Sequence, residues 1–158
     1  MASEQDLAEQ LLRRADTDAA GAMLPIDEVA DVLVCFHAQQ AVEKALKAVL
    51  AARGVEFPFI LDIGGLTKLC REAGVPLPDD LDGADLLTRY AAGLRYDDDT
   101  VHAVERETAS RWATSAVQWA RGLVDEAGGV DRSPQPSPKP PMVAEGRRPS
   151  LKCSRGAS

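Results

Sequence analysis

Aromatic residues are scarce in this chain, with three Phe, two Tyr and two Trp among 158 residues. β-Sandwiches and barrels draw on aromatic and β-branched side chains. Here Ala and Leu dominate an apolar fraction of 45%, and both are strong helix formers, so the composition favours closely packed helices. No run reaches the roughly 18–20 apolar residues that a membrane span requires, and none is expected. The opening residues, Met1 to Asp6, are polar and acidic with no apolar core, so no secretory signal is expected. Cysteine is sparse too. Cys35, Cys70 and Cys153 show neither a disulfide framework nor the close Cys/His spacing of a zinc site. Cys35 and Cys70 fall on apolar helical faces as expected reduced core residues, and the odd count fits a reducing, cytoplasmic setting. A glycine-rich phosphate loop and a Gly-x-Ser-x-Gly elbow are both missing. No cofactor is expected.

Charge is uneven along the chain. Residues 131–158 hold six cations against two acids, or +4. The net charge of −7 therefore leaves −11 on the first 130 residues. So acidic a body repels nucleic acid on average; any RNA it handles meets a local patch or comes with a basic partner.

The apolar periodicity predicts an up-and-down bundle of four to five helices over residues 1–129. The first helix runs from Ser3, a natural N-cap with Glu4 and Asp6 behind it, to about Ala20, with Leu7, Leu11 and Leu12 on its buried side and Gly21–Pro25 ending it. The second runs from about Ile26 to Arg53 with Gly54 as its C-cap; Val32, Phe36, Gln39, Val42, Leu46 and Val49 recur on one face. Short helices are expected at about Leu66–Ala73, ending at Gly74, and at about Leu81–Ala91. The last long helix starts near Asp98 or Thr100, carries Val101, Val104, Thr108, Trp112, Ala116, Trp119 and Leu123 on its apolar stripe, and stops at Gly128-Gly129. From Val130 onward Pro alternates with Ser, Gln and Lys, no apolar period survives, and a disordered Pro/Ser/basic tail (130–158) is expected.

The second helix contains Phe36-His37-Ala38-Gln39-Gln40-Ala41-Val42-Glu43-Lys44-Ala45-Leu46-Lys47-Ala48. With Gly54, Phe57-Pro58 and Leu94-Arg95-Tyr96 further on, this resembles the signature of HEPN domains. Family members often carry His-Asp-Leu after the Phe-Pro loop. Here the positions read Leu61-Asp62-Ile63, so that histidine and any role it plays are absent. The resemblance implies a helical bundle, usually a homodimer, often encoded beside a minimal nucleotidyltransferase and acting with it as a toxin–antitoxin pair. It also implies, for some members, a metal-independent RNase motif of Arg, four to six residues, then His.

Arg95 and His102 are separated by six residues and match the long end of that motif. The chemistry suits the residue types: a histidine moves the proton of a ribose 2′-OH or of the leaving oxygen, and an arginine holds the phosphate and its developing charge. If the stretch were helical the two would lie about 10 Å apart along the axis, so a symmetric dimer would be needed to gather the pairs. The bland alternative is that Arg95 pairs with Asp97–Asp99 or Glu43 and His102 flanks the core. The three acids read as a helix cap, with a divalent-cation site as the weaker alternative. His37, Gln40, Lys44 and Lys47 share a polar face at helical spacing, either a nucleotide-, RNA- or partner-contacting surface or an anchor to neighbouring helices. In some family systems the transferase nucleotidylates a tyrosine two residues after the His. Here that position is Val104, and Tyr96, next to Arg95, is the nearest substitute. A partner nucleotidyltransferase with this chain as toxin, an RNase acting alone, and a non-catalytic ligand-binding or scaffold bundle are the functions left open.

Overall fold

The computed structural model describes residues 2–23, 31–59, 62–91 and 106–130. Among these residues the chain is all helical, an up-and-down bundle of α1 (Glu4–Ala22), α2 (Asp31–Ala52), α3 (Ile63–Glu72) and α4 (Arg106–Val130), with two 3₁₀ turns, Asp79–Leu81 and Ala84–Tyr90, between α3 and α4. The expected starts of the second and last helices, the Arg95–His102 stretch with Tyr96 and Asp97–Asp99, Val101, Val104 and the Pro-rich tail lie outside the described residues.

Local chemistry explains most boundaries. Ser3 caps α1 in a capping box: its hydroxyl accepts from the Asp6 amide at 3.1 Å, and the Asp6 carboxylate accepts from the Ser3 amide at 2.9 Å. Donation to the carboxylate, from the Ser3 backbone amide first and from the Ser3 side chain second, favours its ionised form and holds Asp6 below the usual aspartate range. Gly54 and Gly74 close α2 and α3 in the same way. Each has a positive φ, +64° and +71°. The following amide reaches back to the helix, Val55 to the Leu50 carbonyl and Val75 to that of Cys70, both at 2.9 Å.

α2 is the inner rod. It packs against α1, α3, α4 and the Ala84–Tyr90 turn. Ala38, Ala41, Ala45 and Ala48 are fully buried beside Val34, Val42, Leu46, Val49 and Leu50. Alanines at three- and four-residue steps let neighbouring helix axes approach closely. α1 answers with Ala8, Leu12, Ala15, Ala19 and Ala22, and α4 with Ala109, Trp112, Ala113, Ala116, Val117, Ala120 and Val124. α1 lies antiparallel to both: its end meets the start of α4, where the Ser110 hydroxyl donates to the Ala22 carbonyl at 2.7 Å, and its start meets the end of α4, where Gln5 donates to the Val124 carbonyl at 3.3 Å. Arg106 and Asp31, 2.8 Å apart, tie the first turns of α4 and α2.

Several expectations need correction. α1 runs through Gly21 to Ala22, and α4 runs through Gly128 and Gly129 to Val130. In both places a helix-weakening glycine lies against another element, Gly21 against the His37 ring and Gly128 against Gln5, and packing outweighs a propensity cost of about 1 kcal/mol. α3 begins at Ile63, three residues earlier than expected, because the Asp62 side chain caps it by accepting from the Gly65 amide at 2.7 Å. The expected helix at Leu81–Ala91 is instead the two 3₁₀ turns, split at Gly83 with φ +81°. Leu7 and Val32, expected on buried faces, are each 43% exposed.

Candidate functional site

The polar residues of α2 join into one hydrogen-bonded relay. Spacing of four places Gln39 over Glu43, Gln40 over Lys44 and Glu43 over Lys47. From one end, Lys44 is ion-paired to Asp18 of α1 and also donates to Gln40 Oε1 at 3.1 Å. Gln40 Nε2 donates to Gln39 Oε1 at 2.7 Å, and Gln39 Nε2 donates to Glu43 Oε2 at 2.6 Å. The second Glu43 oxygen accepts from Lys47 Nζ at 2.6 Å, and Lys47 also donates to the Phe59 carbonyl at 3.2 Å. Each amide in the relay accepts with its oxygen and donates with its nitrogen, so the order Gln-Gln-x-x-Glu-Lys-x-x-Lys is the order in which donors and acceptors alternate.

Of the four residues expected on this face, His37, Gln40 and Lys44 are half-buried and Lys47 is buried. His37 Nδ1 stands 3.6 Å from Asp18, too far for a hydrogen bond, and its ring meets Phe36 edge-on at 5.7 Å. The face is thus a lined seam between α1, α2 and the loop after α2. Lys44 and Lys47 are each matched by a carboxylate, Asp18 and Glu43. Sequence reasoning placed Gln39 on the apolar stripe, and it is indeed only 1% exposed, but as a polar link. Asp18 and Phe59 were missed. Asp18 gives no local signal because its partner is 26 residues away.

This relay spans the segment on which the family resemblance rested. The HEPN domain family model matches residues 8–126, which include the relay and the Arg95–His102 stretch. The chain belongs to the HEPN domain family. No curated protein and no solved structure matches it.

Two thiols of this HEPN bundle, Cys35 of α2 and Cys70 of α3, are buried. Cys35, on the first turns of α2, is raised by burial, an effect partly offset by a hydrogen bond with Tyr90. Cys70 is pushed up to about 11 by burial. Both therefore stay protonated near neutral pH, which suits core packing and not nucleophilic or metal chemistry. Among the described residues no group of three His, Cys, Asp or Glu side chains gathers as a metal site, and no helix is long and apolar enough to cross a membrane. Tyr96, Arg95 and His102 lie outside the described residues.

Proposed function

We propose that this HEPN protein acts through a protein partner, a minimal nucleotidyltransferase, in a toxin–antitoxin-type pair, and does so as a homodimer in the cytoplasm. The observation that carries this reading is the charge balance of the α2 face. Its two lysines are matched by Asp18 and Glu43, within a body of net −11. Such a face offers a phosphate little attraction, whereas an acidic body steers toward a basic protein surface. His37, Gln40, Lys44 and Lys47 then act by holding the bundle in shape for docking, with Tyr96 as the tyrosine nearest the Arg/His pair. The test is co-purification with the minimal nucleotidyltransferase encoded next to it. A stable complex is expected; failure to form one at micromolar concentrations refutes the reading.

A second reading rests on the six-residue spacing of Arg95 and His102: a metal-independent endoribonuclease, with His102 moving the 2′-OH proton and Arg95 holding the phosphate. It predicts RNA cleavage in EDTA and growth arrest on expression, both lost in Arg95→Ala and His102→Ala. Cleavage that persists in both variants overturns it. Growth without arrest on expression of the wild type favours a non-catalytic ligand-binding or scaffold bundle.

A further inference from the structure

At the end of the bundle where α1 starts and α2 stops, a groove of about 370 Å³ opens. Leu7, Ala51, Val55 and Phe57 make its apolar walls, and the Glu4 and Glu56 carboxylates stand at its rim. Leu7 is 43% exposed, whereas Leu12 on the same helix is buried. Among the described residues neither Glu4 nor Glu56 belongs to an ion pair. The groove therefore fits an apolar side chain flanked by cations.

We infer that its occupant is this chain's own C-terminal segment Arg147–Lys152, with Leu151 in the apolar floor and Arg147, Arg148 and Lys152 toward the two carboxylates. Three observations converge on it. The chain leaves α4 at this end: Gln5 of α1 bonds the Val124 carbonyl, a Cβ on Gly128 would meet Gln5, and Glu4 borders the α4 terminus as well as the groove. The charges complement, +4 beyond residue 130 against −11 before it. And Arg-Arg-Pro-Ser-Leu-Lys is the stretch beyond residue 130 that sets a leucine among cations with no acid between; Met142-Val143 sits beside Glu145 instead. Reach is no obstacle. The 17 peptide steps from Val130 to Arg147 span up to about 55 Å, longer than the roughly 33 Å of α2. Tethering makes the encounter intramolecular, so a weak contact is enough to keep the groove occupied.

The third cysteine supplies the probe. Cys35 and Cys70 are buried with raised thiols, so a nitroxide maleimide at neutral pH goes to Cys153, two residues from Leu151. In the labelled full-length chain, the backbone amide signals of Leu7, Val55 and Phe57 should be lost to paramagnetic broadening, while that of Ala116, in the middle of α4, keeps its intensity. The signals should return in Leu151→Ser combined with Arg147→Glu and Arg148→Glu, and separately in Glu56→Lys, an exposed substitution outside the core. Full intensity at the groove in the labelled wild type, or the same broadening in the variants, overturns the inference. So does broadening that appears undiminished when labelled chain is mixed with unlabelled, isotope-enriched chain, because that result assigns the groove to a second copy.

Discussion

Glu43 holds the centre of the α2 relay, and replacing it with Ala tests whether the relay is a structural unit. Its two oxygens accept from Lys47 and from Gln39, each at 2.6 Å. Without them Gln39, 1% exposed, loses its acceptor, and Lys47 keeps only the Phe59 carbonyl and the Phe59 ring beside it. An orphaned buried amide costs about 1–3 kcal/mol. An ammonium left without its carboxylate costs about 3 kcal/mol or more when fully buried; the Lys47 side chain keeps 11% exposure and hydrates partly, so about 2 kcal/mol is the better figure here. Glu43→Ala should therefore cost about 3–4 kcal/mol, a large share of a typical stability of about 5–15 kcal/mol. In a Lys47→Met background the charge is gone and the same substitution should cost only about 1.5 kcal/mol, a coupling of about 2 kcal/mol. Urea unfolding of the four proteins at one pH measures this, provided the m-values agree. A cost below about 1 kcal/mol, or an equal cost in both backgrounds, refutes the relay as a cooperative unit.

Other expectations follow from the backbone and the thiols. Gly122 is exposed in the middle of α4 with nothing within 4 Å of an added Cβ, so Gly122→Ala should stabilise by about 0.8 kcal/mol and raise the Tm by a few degrees in a thermal melt. Gly54→Ala forces an L-residue to φ +64° and should cost about 1–2 kcal/mol by the same melt; the nearby Glu4 carboxylate, 3.0 Å from the new Cβ, swings aside at little extra cost. With its pKa at about 11, Cys70 should resist thiol reagents in the native protein at pH 8 and, like Cys35, react once denaturant exposes it, which mass spectrometry of labelled peptides resolves. Asp6 titrates below the usual range in the folded state, so its contribution is present above the ordinary aspartate pKa and fades as pH falls through the lowered one; Ser3→Ala should move the Asp6 carboxyl titration upward in an NMR pH series.

Much of the fold is legible in the residues because its signals act within one helical turn. Ser3 at the head of α1, and Gly54 and Gly74 after α2 and α3, satisfy backbone groups three to five residues away, so their meaning does not depend on the rest of the molecule. The turns at Asp79–Leu81 and Ala84–Tyr90 misled the reading because Leu81, Ala84 and Leu87 keep a helix-like period while Gly83 at φ +81° breaks the hydrogen-bond ladder. Of the candidate site, the relay's (i, i+4) pairs could be foreseen from spacing. The match of Lys44 to Asp18 and of Lys47 to the Phe59 carbonyl could not.

The sequence by itself determined that this is a helical chain with an inner rod over α2 and a Gln-Gln-x-x-Glu-Lys-x-x-Lys face, since helical period and capping are local properties of the backbone. Only the tertiary structure decided that this face packs against α1 and the loop after α2, with Lys44 matched by Asp18 and Lys47 held by the Phe59 carbonyl, and that Gly128 and Gly129 stay helical beside the start of α1. Which side chains are desolvated depends on how helices cross, and residues far apart in the chain meet only after the bundle has closed.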